Sequence, residues 1–306
     1  MSKGRRRKGL QINGMLLLDK PTGMSSNYAL QKAKRIFEAN KAGHTGSLDP
    51  LATGVLPLCF GETTKIASYF LNGDKEYQVS ISLGTSTDTG DSEGKIIDQQ
   101  PVGISQGKLD QVLPQFRGSY PQVPPMFSAL KQNGQPLYKL ARQGIEVERK
   151  ARDVTVYRLT LDRWDNQTLD LTVSCSKGFY IRTLATEIGA ALGCGGHVIR
   201  LRRTGLGQFT LENTVTLEEL EAFSTARERE ALLVPSDQAL IHFPQITIPE
   251  NLAVYLTQGR AVRPPEVQGL PENELIRMYS QSGGFLGLGI LSEDRKIVPK
   301  RMFVSQ

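Results

Sequence analysis

The stretch Gly43-His44-Thr45-Gly46-Ser47-Leu48-Asp49-Pro50-Leu51-Ala52-Thr53-Gly54 runs directly into Val55-Leu56-Pro57-Leu58-Cys59-Phe60. It places one carboxylate, Asp49, in a loop whose path is set by glycines and whose exit is stiffened by Pro50. The apolar run that follows reads as a buried strand anchoring the loop. Chemistry tends to sit in loops pinned to a rigid element. The competing reading is an Asp-Pro turn whose carboxylate only caps neighbouring N–H groups.

Working outward, Met15–Leu18 is a short apolar run ended by Asp19-Lys20-Pro21, which predicts a buried strand. Ser25 and Ser26 offer N-cap hydroxyls for a helix reaching about Ala39, with Ala29, Leu30, Ala33, Ile36 and Phe37 on its apolar face. Further helices are predicted over 62–71, 106–113, 136–142 and 180–192, the last stopped by Gly193. Strands are predicted over 77–83, 154–164, 168–175 and 198–203, with a polar, glycine-bearing loop at 86–94. The prolines of 121–130 require an extended chain.

A boundary is predicted at 241–245, followed by a short helix to 258 and strands at 275–279, 285–291 and 297–304. Strands and helices mix without regular βαβ alternation. The fold class is therefore α+β: a mixed, largely antiparallel sheet flanked by helices, plus a small β-rich C-terminal module.

At 306 residues the chain has room for one large and one small domain, and 39% hydrophobic residues suffice for a packed core. A net charge of +6 suits a polyanionic partner but is weak evidence alone. Cys59, Cys175 and Cys194 form no Cys-x-x-Cys pair and sit among apolar residues, as reduced thiols of a cytoplasmic protein do. His44, His197 and His242 have no metal-ligand spacing with them, so no metal site is expected. No apolar run approaches the ~18 residues that span a bilayer. The basic start, Met1 to Lys8, lacks an apolar segment after it and reads as a tail over 1–12, either solvated or touching RNA phosphates. No Walker loop or dinucleotide fingerprint is visible, and no cofactor is expected.

Gly14-Met15-Leu16-Leu17-Leu18-Asp19-Lys20-Pro21, the Asp49 stretch, Pro124-Pro125-Met126-Phe127-Ser128-Ala129-Leu130 and Ser176-Lys177-Gly178-Phe179-Tyr180-Ile181-Arg182 occur in that order. Together they resemble the signature of the bacterial tRNA pseudouridine synthase B family, from about Asn13 to Arg203. The resemblance implies an isomerase converting uridine-55 of the tRNA TΨC loop to pseudouridine, by base flipping and an aspartate-dependent cleavage and re-formation of the glycosidic link through carbon.

It also implies a catalytic domain over 13–245, an RNA-clamping insertion at 123–152 and a domain similar to the PUA RNA-binding fold over 246–306. Such an enzyme needs no metal and no cofactor. Its partner is the tRNA T arm, and a cytoplasmic monomer without an obligate protein partner is the default.

Carried over position by position, Asp49 falls on the catalytic aspartate and Arg182 on the arginine that pairs with it. Such a partner lowers a carboxylate's pKa by ~1–3 and orients it bidentately. Without the motif, Arg182 would read as a surface arginine at a helix start. Tyr77 matches the tyrosine that stacks on the target base and accepts its proton; unaided, a strand tyrosine reads as packing.

Tyr180 and Leu201 map onto further pocket positions, and His44 onto a histidine that fills the space left by flipped nucleotides. Lys20 is placed at the substrate site with Pro21, where shaping the site is a better description than reacting. Lys131, Arg142, Arg149, Lys150 and Arg152 are the candidate contacts to the RNA backbone. Phe127 stands where tyrosine is common and Phe179 where a small residue is frequent, which touches fine substrate contacts rather than the reaction.

Two other functions remain on the sequence alone: an RNA-binding or RNA-folding factor on the same fold, and a related synthase acting on ribosomal RNA.

Overall fold

The computed structural model describes residues 9–265 and 267–303. The predicted basic tail lies, over 1–8, outside the described residues. Residues 9–12 are tied in, since Leu10 bridges Ala39 and Ile12 is buried.

The centre of the molecule is a sheet whose strands run in the order Gly14–Lys20, Thr53–Phe60, Gly196–Leu206, Lys75–Leu83, Thr168–Cys175, Arg152–Trp164 and Gly118–Gln122. Ala42–His44 adds to Thr53–Phe60, and Phe209–Thr210 to Gly196–Leu206. The pairings are antiparallel except where Arg202 and Arg203 run parallel to Thr53 and Gly54. This is the mixed, largely antiparallel sheet that the sequence predicts.

Its two hydrophobic faces explain the unbroken apolar runs. Leu16, Leu18, Leu56, Leu58 and Phe60 point into one core, while Met15, Leu17, Val55 and Cys59 point into another on the opposite side. A strand covered on both faces has no polar side to show. Lys75–Leu83 and Thr168–Cys175 are covered on one face and alternate, burying Tyr77, Val79, Ile81 and Leu83, and Leu169, Leu171, Val173 and Cys175.

Two helices flank the site. Ser26–Ile36 is capped by Ser25, whose hydroxyl accepts from the Tyr28 N–H at 3.2 Å. It stops short of the predicted Ala39 because Glu38 adopts φ 50° and turns the chain. Ile181–Leu192 ends where Gly193 takes φ 86°, a left-handed closure that glycine adopts without penalty.

Other predicted elements are corrected in detail. The 62–71 helix is a 3-10 turn, Gly61–Ile66, followed by a short helix, Ala67–Phe70. The 86–94 loop begins in a strand, Thr85–Thr87, that pairs with Ile96–Gln99.

The C-terminal sheet has the order Gln245–Ile248, Leu275–Ser280, Phe285–Leu291, Ile297–Met302, with helix Glu250–Thr257 beside it. Its first strand, parallel to its neighbour and not among the predicted ones, begins where the predicted 241–245 boundary ends. Leu288 of this sheet shares a core with Met15 and Leu17 of the first.

Candidate active site

The opening motif is locked in place by the segment before it. The Ser26 hydroxyl donates to the Leu48 carbonyl at 3.0 Å and accepts from the Leu48 N–H at 2.7 Å. Gly23 N–H donates to the Pro50 carbonyl at 2.9 Å, and Thr22 Oγ1 to the Leu51 carbonyl at 3.1 Å. Lys20, fully buried, donates from Nζ to the carbonyls of Met24 (2.6 Å), Pro21 (2.8 Å) and Pro50 (3.3 Å). Burial pushes its ammonium down to about 8, against the opposing pull of Asp49 and Glu93.

Asp49 therefore leaves a braced loop and enters a cleft of about 1120 Å³. There Arg182 meets it with two donors, Nε to Oδ2 at 2.8 Å and Nη2 to Oδ1 at 3.3 Å. Arg182 is 4% exposed, so it is not the surface arginine that its position alone suggests. Its remaining donors reach the Thr89 carbonyl at 2.9 Å and the Phe127 carbonyl at 2.7 Å, and Asp91 Oδ2 lies 3.6 Å from Nε. One buried cation thus serves two carboxylates and two carbonyls.

Two influences compete at Asp49: burial raises a carboxylate's pKa and a paired cation lowers it. Burial raises it above the usual carboxylate range and the Asp91 charge adds to the rise, outweighing Arg182 and Lys20. The pairing is present; desolvation wins over it.

Tyr77, buried against the cleft, has its phenol pushed up mainly by burial, with Arg203 pulling the other way. Tyr180 stands half-buried at the start of the Ile181–Leu192 helix. Gln122 holds its backbone on both sides, accepting from its N–H at 2.8 Å and donating to its carbonyl at 3.2 Å. Leu201 supplies an apolar wall. His44 Nδ1 is buried with no hydrogen-bond partner, and burial lowers the imidazole's pKa against the opposing pull of the Gly46 backbone. A carboxylate on a guanidinium, ringed by aromatic and apolar walls, fits a flat polar ring removed from water.

Residues 34–181 match the TruB family pseudouridylate synthase N-terminal domain, 182–241 the tRNA pseudouridylate synthase B C-terminal domain, and 244–303 the pseudouridine synthase II TruB C-terminal domain. The chain is 47% identical to the tRNA pseudouridine synthase B of Yersinia pestis, across 98% of this chain and 94% of that one. It is 50% identical to the Pseudomonas fluorescens protein of the same name, across 96% and 97%.

The chain belongs to the TruB family.

Among solved structures, a Cbf5-Nop10-Gar1 complex matches with TM-score 0.72 and 26% identity, covering 97% of this chain and 84% of that one. An H/ACA RNP bound to a substrate RNA containing 2'-deoxyuridine has the same fold at TM-score 0.73 and 24% identity, covering 95% and 85%.

In this TruB-family chain, Asp49, Tyr77, Tyr180, Arg182, Leu201 and His44 line one cleft, joined by Arg142. Lys20 does not line it; its ammonium is spent on backbone carbonyls beneath, which corrects the expected substrate contact. Lys131, Lys150 and Arg152 are exposed, Arg152 at the start of the Arg152–Trp164 strand. Arg149 is partly committed to Glu146 at 3.1 Å and to the Pro124 carbonyl at 3.4 Å, so it is less free than its neighbours. Phe179 packs edge-on to Tyr120, with ring centroids 6.4 Å apart.

Asp91, the Phe127 carbonyl, Gln122 and Arg203 were absent from the sequence-based site. Asp91 sits in the polar loop after Thr87, where nothing in the pattern marks one carboxylate over its neighbours. Among the described residues no cluster of His, Cys, Asp or Glu is placed to hold a metal, and no helix is long and apolar enough to cross a membrane.

Proposed function

We propose that this TruB-family isomerase converts uridine to pseudouridine in tRNA, acting on uridine-55 in the T loop, with Asp49, Tyr77 and Arg182 as its catalytic groups. The observation that carries the reading is the Asp49–Arg182 pair on the floor of the cleft. Bound RNA brings negative charge, and a protein that only binds it gains nothing from a second anion in its pocket. A carboxylate held there by a buried guanidinium is suited to reacting with the flipped nucleoside or stabilising its charge.

Arg182 holds both carboxylate oxygens and so fixes the orientation of Asp49 in the cleft. Tyr77 and Tyr180 offer ring faces for stacking at ~1–3 kcal/mol per base, comparable with the cost of extrusion. His44, neutral, suits the space that flipped nucleotides leave. Lys131, Arg142, Arg149, Lys150 and Arg152 supply the cations suited to neutralising an RNA backbone. We assign catalysis to 13–245, clamping of the T arm to 123–152 and additional RNA contact to 246–306, in a cytoplasmic monomer working without metal or cofactor.

The test is direct. The purified chain, incubated with a T-arm hairpin and no added metal or nucleotide, should convert the target uridine to pseudouridine. A hairpin with cytidine at that position should stay unmodified. Binding without conversion would favour the RNA-folding factor instead, and preferential modification of ribosomal RNA fragments would favour the related synthase.

A further inference from the structure

Gln122 closes the strand Gly118–Gln122, opposite Arg152 in the pairing with Arg152–Trp164, and is 1% exposed. Tyr120, two positions before it, shares its face. That face meets the chain entering the Ile181–Leu192 helix. The Tyr120 ring lies edge-on to Phe179, and its hydroxyl donates to Glu187 Oε2 at 3.3 Å. Gln122 meets the next residue, Tyr180. Its Oε1 accepts from the Tyr180 N–H at 2.8 Å, and its Nε2 donates to the Tyr180 carbonyl at 3.2 Å and to the Tyr120 hydroxyl at 3.4 Å.

One side-chain amide thus pairs with both backbone groups of a single residue, as a neighbouring strand would. Only one orientation serves. Turning the amide over would set its oxygen against the Tyr180 carbonyl and its amino group against the Tyr180 N–H. Burying an amide is costly unless it is hydrogen-bonded, and an apolar side chain carries no such cost. The bonds to Tyr180 are what this amide adds.

Tyr180 is extended, at φ −114° and ψ 110°, and makes no side-chain cap to the helix it precedes. Its carbonyl also accepts the first helical bond, from the Leu184 N–H at 3.1 Å. With its N–H and carbonyl both held, the direction of its Cα–Cβ bond is set. Tyr180 lines the cleft that holds Asp49, and Arg182, the partner of Asp49, follows two residues later on the same helix. Gln122 itself does not line the cleft.

We propose that Gln122 is a positioning residue for the reaction: it clamps the Tyr180 backbone so that the Tyr180 side chain is aimed at the flipped base before RNA binds. This deepens the pseudouridine synthase reading above and rests on it. Gln122 touches no reacting atom; its effect passes through Tyr180, whose placement is settled in the free protein rather than during the reaction.

The test is a double-mutant cycle of Gln122→Met and Tyr180→Ala, read by single-turnover pseudouridine formation and by hairpin affinity. Gln122→Met keeps the length of the side chain and loses its hydrogen bonds. It should slow the chemical step about 10-fold or more while hairpin affinity stays within about 5-fold. Added to Tyr180→Ala, it should slow the step by less than about 3-fold further, because the side chain it aims is already gone. Amide hydrogen exchange of nitrogen-labelled tyrosines, with Tyr180→Ala identifying the signal, should show the wild-type Tyr180 N–H exchanging about 100-fold or more slowly than exposed loop amides.

Should Gln122→Met fail to fold, Gln122→Asn, which keeps the amide but is one methylene short of Tyr180, takes its place in the cycle. Equal slowing with and without the Tyr180 ring, activity that falls only with the folded fraction, or a wild-type Tyr180 amide that exchanges as fast as exposed loop amides overturns the proposal. A wild type that makes no pseudouridine removes the reading beneath it. An active wild type with an additive cycle removes only the role of Gln122.

Discussion

Arg182 grips both oxygens of Asp49, at 2.8 and 3.3 Å, with the same guanidinium that holds the Phe127 carbonyl at 2.7 Å. The carboxylate and the Phe127 backbone therefore share one cation. Arg182→Lys keeps the charge but cannot serve Asp49 and the two carbonyls together. Its expected effect is a loss of about 100-fold or more in kcat with hairpin affinity changed by less than about 5-fold, measured by parallel turnover and binding assays.

The raised pKa of Asp49 has opposite consequences for activity and stability. Catalysis needs the ionised form, so the rate should fall with acid at a higher pH than an ordinary carboxylate would give. For folding, the native state holds this proton more tightly than the unfolded chain does. The Asp49 contribution is thus fully present below the unfolded pKa and is lost as pH rises through the folded one. Asp49→Asn should therefore be at least as stable as wild type at neutral pH, with the difference shrinking in acid. Urea melts at several pH values check the sign.

Gly54→Ala should destabilise the fold by about 1–3 kcal/mol, because the added Cβ meets the Arg203 backbone at a positive φ that disfavours side chains. Thermal melts measure it. Ser26→Ala should cost about 1–3 kcal/mol as well, since the Leu48 N–H and carbonyl both lose their partner. Its effect on turnover should exceed what the stability loss explains, because the adjoining Asp49 loop is loosened.

Lys150→Ala and Arg152→Ala should each weaken hairpin binding and lower the slope of log affinity against log salt by about one. Arg149→Ala should move that slope less and stability more, because part of its guanidinium already serves Glu146 and Pro124. Titration of hairpin binding at several salt concentrations separates the two behaviours.

Much of the fold was legible because its strands follow a period of two or are covered on both faces, as in 77–83 and 55–60. The Asp49–Arg182 contact, 133 positions apart, was not legible from spacing; only the resemblance of the motifs brought the two together. Lys20 looked like a site lysine because a charge beside a motif reads as available, whereas its amine is enclosed by carbonyls.

Asp91 had no periodicity to betray it. Arg203 did leave a signal: Leu201 and Arg203, two apart on one strand, must share a face, and Leu201 was already assigned to the pocket. Arg202 between them points the other way and pairs with Asp19 at 2.6 Å.

The most direct test is tritium release from C5-labelled uridine in a T-arm hairpin, run for wild type and Asp49→Asn alongside hairpin binding. Release by wild type, with none from a folded variant that still binds the hairpin, is the predicted result. Undiminished release from Asp49→Asn would contradict the account at its centre.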